Sequence, residues 1–251
     1  MTQGNVESTE PPLPERLRSL YEQQLKIRPD DPYLQAHAET KVAETQAAVF
    51  DSYAPYLPAH GGSVLDWGCR HAPDACLIRA RFGTEMRIDG CDVVEPGAYS
   101  VFHAYAGLRY RVLADAVRLP YDDASFDAVV ASGTLEHVPM DYESLKEIYR
   151  VVRTDGSLII TYLPNRLSVE EWYKRKVRGE GFHRRLYRLG EIVRLLKHSG
   201  FYPRLAGYQT HLDLLPPRSF KHRALRRFRW LLPLHWMTST ISVIAVKVAT
   251  M

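Results

Sequence analysis

The constraint that narrows the fold most is a regular alternation of apolar runs with helical segments, which begins after Gly61-Gly62 and continues to about residue 163. The pattern predicts strands over 63–66, 86–92, 110–113, 126–132 and 157–163, with helices over 74–82, 96–105 and 142–152 between them. Parallel strands need crossover connections of this length, so the expected core is an α/β sheet covered by helices on both faces.

The flanks read differently. Residues 1–14 are polar, contain Pro11, Pro12 and Pro14, and are expected to form a disordered lead. Residues 15–60 read as N-terminal helices, one over 15–26 and a second running through 33–56 on Val42, Ala43, Ala47 and Phe50. Beyond the alternation, a polar basic stretch (165–188) precedes an amphipathic helix over 190–199 that Gly200 closes, and strands follow over 201–210 and 240–248. The connection 211–239 is far longer than usual; with 166–190 it is expected to be a substrate-side or lid insertion in a domain spanning 61–251.

Composition sets the class. At 251 residues, 45% apolar and 25% charged, the chain has enough material for one large buried core. Cys69, Cys76 and Cys91 match neither a disulfide framework nor a zinc or iron–sulfur spacing, so no metal is expected and a reducing cytoplasm fits best. Neither a secretory signal nor an apolar run of membrane-spanning length is visible. The net charge of +4 conceals an asymmetry, because 166–229 carries +12 and the remainder −8. The basic stretch suits an anionic acceptor or an anionic surface. Within it, 218–236 places Leu225, Phe228, Leu231 and Leu232 at helical spacing among arginines, with Trp230 and Trp236 at the apolar end. That segment reads equally as a helix in the inner membrane interface and as a helix packed on the domain with a basic outer face.

The chemistry lies at strand ends. Val64-Leu65-Asp66-Trp67-Gly68-Cys69 is an apolar strand that ends in a carboxylate and a glycine before a helix, where a doubly wound sheet brings its backbone closest to a ligand. Asp92 ends the next strand 24 residues past Gly68, the position from which a carboxylate takes ribose hydroxyls. Asp115 ends a third strand in Leu113-Ala114-Asp115-Ala116. Taken singly, Asp66 also reads as a helix cap, Asp92 as a turn residue, Asp115 as the cap of the turn before Leu119-Pro120, and Trp67 as core packing.

In order and spacing, the runs VLDWGC, GCD, LADAVRLPYDDASFDAVVASGTLEHV and LKEIYRVVRTDGSLIITYLPN resemble the class I S-adenosylmethionine-dependent methyltransferases, in the small-molecule and quinone-biosynthesis branch known as methyltransferase type 11. The resemblance is closest over about residues 60–165 and looser in LYRLGEIVRLLKHSGF. It implies a Rossmann-like, seven-stranded, mostly parallel sheet whose last strand is antiparallel, preceded by N-terminal helices and with the basic helical insertion before that last strand. It further implies S-adenosyl-L-methionine as cofactor. By this resemblance Asp66 and Gly68 line its methionine end, Asp92 binds the ribose, and Asp115 with the Ala116 backbone holds the adenine; Trp67, Arg70, Val93 and Ser132 are further candidates for contact with the cofactor.

Glu136 and His137 follow the fourth strand, where the resemblance places the transferred methyl group. His137 is the candidate general base, or else a loop cap; Glu136, His183 and Arg184 are candidates for contact with the acceptor. One departure stands out: Arg70 and Ala72 occupy places where the family has glycine. Arg70 either pairs with the methionine carboxylate or fills the pocket. The leading expectation is methyl transfer to a small-molecule or lipid- or phosphate-linked acceptor, as O-methylation of a sugar-like hydroxyl. Two alternatives stand beside it, an RNA-directed methyltransferase and a non-catalytic binding protein of the same fold. Ser132-Gly133-Thr134-Leu135 in place of an Asn/Asp-Pro-Pro-aromatic motif, and the lack of cysteine after Cys91, argue against nucleic acid as the partner.

Overall fold

The computed structural model of the chain describes residues 11–38, 40–59, 61–115, 117–179, 183–209 and 238–249. Ala116, most of the 211–239 insertion, including the basic helix expected at 218–236, and the first ten residues of the expected lead lie outside the described residues.

Seven strands form one sheet: β1 (Ser63–Trp67), β2 (Arg87–Asp92), β3 (Arg109–Val112), β4 (Phe126–Ser132), β5 (Val152–Pro164), β6 (Phe201–Gln209) and β7 (Thr240–Lys247). Their order is β3-β2-β1-β4-β5-β7-β6. The first five run parallel, and β7 pairs antiparallel with both β5 and β6. This is the Rossmann-like α/β architecture with an antiparallel last strand that the sequence predicts. Strand order reverses between β1 and β4, which opens a crevice at their carboxyl ends.

The central strands are apolar on both faces because both faces are covered. Val64, Ala128, Val130 and Ile159 pack into one core with α1 (Leu13–Ile27), α3 (Thr40–Tyr53), α4 (Pro73–Phe82) and α5 (Ser100–Ala106). Their chain neighbours Leu65, Val129, Leu158 and Ile160 enter a second core with α6 (Asp141–Val151) and α8 (Leu189–His198). Alternate residues of one strand thus belong to opposite cores, as the two-residue period of a strand requires.

Two expectations about the flanks are corrected. Helix α1 starts at Leu13, inside the expected lead, because Pro14 falls in the first turn, where no backbone N–H is needed. The single helix expected over 33–56 is two, α2 (Pro32–His37) and α3, with a 3-10 turn at 54–56. Asp31 caps α2 by accepting from the backbone N–H of Tyr33 and Leu34. The break lets α2 set Tyr33 and His37 over the loop after β1 while α3 buries Ala43, Ala47 and Phe50. The basic stretch after β5 contains α7 (Val169–Lys176), with two glutamates in its first turn and three cations in its last, a charge order that favours the helix dipole.

The N-terminal helices are held to the sheet by buried polar bonds. Gln24 accepts from Val101 N–H at 3.0 Å, and the Tyr21 hydroxyl lies 2.7 Å from His71 Nε2 and 3.1 Å from Gln46 Oε1. His71 is fully buried, and burial holds its pKa well below the usual imidazole value. Its Nδ1 has no partner, so Tyr21 provides the ring with its hydrogen bond. Tyr21→Phe removes that bond without changing shape and is expected to cost about 1–3 kcal/mol. Denaturant unfolding at neutral pH checks this; a loss near zero means that the contact does not anchor α1.

Candidate functional site

A cavity of about 940 Å³ opens at the carboxyl ends of β1, β2 and β4, roofed by α2 and α3. It lies at the upper end of the range for small-molecule sites, about 300–1,000 Å³, and so accommodates a nucleoside cofactor and an acceptor together.

The floor is the turn from β1 into α4. Gly68, Arg70 and Ala72 all adopt left-handed backbone, with φ of 68°, 45° and 61°. The loop therefore keeps a glycine-type path at both positions where glycine is replaced, at an expected cost of roughly 1–2 kcal/mol per non-glycine residue. Its backbone is gripped by β2: Gly68 and Cys69 N–H donate to the Cys91 carbonyl at 2.8 and 3.2 Å, and Arg70 N–H donates to Asp92 Oδ2 at 2.8 Å. Gly68 is also confined by packing, since a Cβ there would stand 2.3 Å from Thr134 Cγ2.

Asp66 is 2% exposed at the end of β1 and accepts from Ala75 N–H at 3.3 Å, so it caps α4 across space while lining the cavity. Burial, reinforced by the Asp74 carboxylate, raises its pKa well above the usual carboxylate range. Asp92 lines the cavity with one oxygen on Arg70 N–H and the other on Val93 N–H at 2.6 Å. A carboxylate has about four lone-pair sites, so acceptor capacity remains on both oxygens. Val93 is exposed beside it, and Ser132 bonds to Thr161 across the strands at 2.7 Å; both line the cavity. Trp67 is buried in the second core, and its carbonyl accepts from Thr134 Oγ1.

The Arg70 guanidinium is drawn toward the N-terminal helices. It stacks over Tyr33 at 4.0 Å and donates to the Tyr99 hydroxyl at 3.2 Å, tying α2 to the loop. Asp115 is exposed and stands outside the cavity lining. Its Oδ1 accepts from Val117 and Arg118 N–H, bonds that hold its pKa below the usual value, which is the turn-capping geometry.

At the other end of the cavity stand Glu136, His137 and His183. Glu136 is 1% exposed, with Oε2 unpartnered, and burial raises its pKa to about 7. Its Oε1 lies 3.8 Å from His137 Nε2 and 3.6 Å from His183 Nδ1. The His137 side chain is half exposed to the cavity; burial of the rest, and then Arg70, hold its pKa below the usual value. Burial, followed by His137, Arg175 and Lys174, takes His183 down to about 4. His183 is positioned by the segment behind it, where Arg185 pairs with Asp141 at 2.9 Å and Tyr187 bonds the same carboxylate at 3.0 Å. Arg184 is exposed and lies outside the lining.

The lining also includes Tyr33, His37, Lys41, Gln46 and Tyr162, none of which stood out as site residues in the sequence. Tyr162 sits at a break in register between β5 and β7 with φ of 57°, and its hydroxyl is buried without a partner. A bulge here re-aims the side chain, as bulges beside functional sites commonly do. The donor set suits a nucleoside cofactor: acceptors on Asp92 for hydroxyls, a buried Asp66 for a cation, and open left-handed backbone between them.

Residues 65–160 match the methyltransferase domain family. The chain is 33% identical over 123 residues to 27-O-demethylrifamycin SV methyltransferase of Amycolatopsis mediterranei, covering 47% of this chain and 44% of that protein. It is 29% identical over 130 residues to a fatty-acid O-methyltransferase of Mycolicibacterium smegmatis, covering 49% and 45%. The chain thus spans about half the length of these relatives. In fold it is similar to geranyl diphosphate methyltransferase in complex with SAM, with a TM-score of 0.60 at 14% identity over 88% of this chain and 92% of that one. It is as similar to the [4+2]-cyclase SpnF, with a TM-score of 0.59 at 18% identity over 84% and 83%. The fold by itself therefore does not assign a reaction. The matched sequence is more specific: over residues 65–160 the chain is similar to methyltransferase domains, and it is 31% identical over 143 residues to a probable S-adenosylmethionine-dependent methyltransferase of Mycolicibacterium smegmatis, covering 56% of this chain and 52% of that protein.

Proposed function

We propose that this protein transfers the methyl group of S-adenosyl-L-methionine to a hydroxyl oxygen of a small-molecule acceptor. One observation carries the reading: the acid-ended strands β1 and β2 and the Glu136-His137 turn after β4 open into a single cavity with room for both reactants. In this reading Asp92, with Val93 beside it, takes the ribose hydroxyls, and Asp66 with the Gly68–Arg70 backbone takes the cationic amino-acid end. The Ser132 side chain and Trp67 backbone complete the wall. Asp115 serves its turn, and the adenine lies nearer Leu113, which lines the cavity.

The cofactor supplies an electrophilic methyl on sulfur, and the sulfur keeps the bonding pair as the acceptor oxygen forms the new C–O bond. The protein must align the three atoms and see that the hydroxyl loses its proton. Glu136, His137 and His183 serve that second need, with His137 the member most open to the cavity. Oxygen as the acceptor atom is supported by the names of two relatives, the 27-O-demethylrifamycin SV and fatty-acid enzymes. The +12 balance of 166–229 supports an acceptor with an anionic or lipid-linked part, with 218–236 as the face toward an anionic membrane.

Calorimetry with S-adenosylhomocysteine tests the cofactor half: binding to the wild type is expected, and Asp92→Ala is expected to weaken it at least ~10-fold through loss of charge-assisted hydrogen bonds. No binding to the wild type overturns the reading. The acceptor half is tested by release of S-adenosylhomocysteine against a panel of hydroxylated polyketides, fatty acids and sugars. His137→Ala is expected to lower kcat by ~100-fold with cofactor affinity unchanged, and a variant of normal rate removes His137 from the chemistry. Flotation with anionic vesicles at low ionic strength checks the membrane face, which fails if the protein stays in solution.

A further inference from the structure

Glu136 and His137 meet His183, 46 residues away in sequence, at the acceptor end of the cavity. One carboxylate oxygen and one nitrogen from each imidazole all lie within 4.8 Å of one another. Two ligands on a tetrahedral zinc at about 2.0–2.1 Å stand about 3.3 Å apart. The observed separations of 3.6 Å from Glu136 Oε1 to His183 and 3.8 Å to His137 exceed that by half an ångström or less, within reach of a side-chain rotation.

These contacts are too long for hydrogen bonds, and both Glu136 Oε2 and His183 Nδ1 are buried with no hydrogen-bond partner among the described residues. Buried polar atoms without partners are costly, and two imidazole nitrogens stand around one oxygen of the same buried carboxylate. Burial lowers the pKa of both imidazoles and so favours the neutral form, which is the ligating form. The Lys174 ammonium, which acts on His183, is already held by Glu170 at 2.7 Å and by Glu171 at 3.9 Å.

We infer that Glu136, His137 and His183 form a binding site for a divalent transition-metal ion of the zinc class, with open coordination positions facing the cavity. Three protein ligands with a free position describe a catalytic site rather than a structural one, which is closed by four. The site itself stands on geometry; its use rests on the methyl-transfer reading given above. A hydroxyl coordinated there has a lowered pKa, so its proton passes to water and its electron pair forms the bond to the methyl carbon while the S–C pair stays on sulfur. His137 then acts on the acceptor through the ion, and acceptors with an oxygen able to coordinate are preferred.

The test uses full-length protein stripped with chelator and freed of it, titrated with Co²⁺ by absorbance and with Zn²⁺ by calorimetry. One ion per chain is expected, with an intense visible band of low-coordinate cobalt. His183→Ala, on a partly exposed loop residue, and the isosteric Glu136→Gln are each expected to weaken binding at least ~100-fold. Circular dichroism of each variant establishes that it is folded. Lack of stoichiometric binding by the wild type, or binding that both variants retain, overturns the inference. S-adenosylhomocysteine binding in the same stripped preparation separates the two claims: cofactor binding without metal binding sinks only the metal site, and metal binding without cofactor binding sinks only the methyltransferase reading.

Discussion

The structure depends on how the end of β2 holds the turn after β1. The Cys91 carbonyl and the Asp92 carboxylate receive successive backbone N–H groups of Gly68, Cys69 and Arg70. These bonds compensate the left-handed backbone at Arg70 and Ala72, where the side chains oppose it. With the turn fixed, Asp66 can cap α4 across space, and α4 in turn brings Asp74 to the Tyr53 hydroxyl. The same turn presents Arg70 to Tyr33 and Tyr99, so the roof of the cavity is tied to its floor through one side chain.

Charge is distributed in the same sense. Buried carboxylates Asp66 and Asp74 gather at one end of the cavity, where burial raises the pKa of both and Asp74 adds to the rise at Asp66. At the far end Glu136 stands between two imidazoles, with Lys174 and Arg175 acting on His183 from behind. A cavity polarised in this way favours a ligand with a positive centre near β1 and places the Glu136, His137 and His183 cluster beyond it. That arrangement agrees with a sulfonium donor at one end and an oxygen acceptor at the other.

Much of this was legible in the sequence, for identifiable reasons. The strands of the domain are short apolar runs separated by crossover-length helical segments, and Asp66 and Asp92 stand where those runs stop, so their place at the sheet's carboxyl edge follows from chain order. Asp115 has the same local appearance, yet two backbone N–H groups of its own turn claim it, and it stands outside the lining. The prolines near the start look like disorder but sit just ahead of and within the first turn of α1, because composition does not distinguish a helix start from a loop. Tyr162 reaches the cavity through a bulge that no residue pattern in β5 announces.

The sequence by itself determined the parallel core, the turn at Gly68, the carboxylates at the ends of β1 and β2 and the Glu136-His137 pair, because each is a local pattern of period, spacing or residue type. Only the tertiary structure decided that Arg70 leans onto Tyr33, that α2 and α3 roof the cavity, and that His183 faces Glu136. The first and last of these contacts join residues 37 and 47 positions apart in the chain, where burial and packing rather than local preference choose the partner.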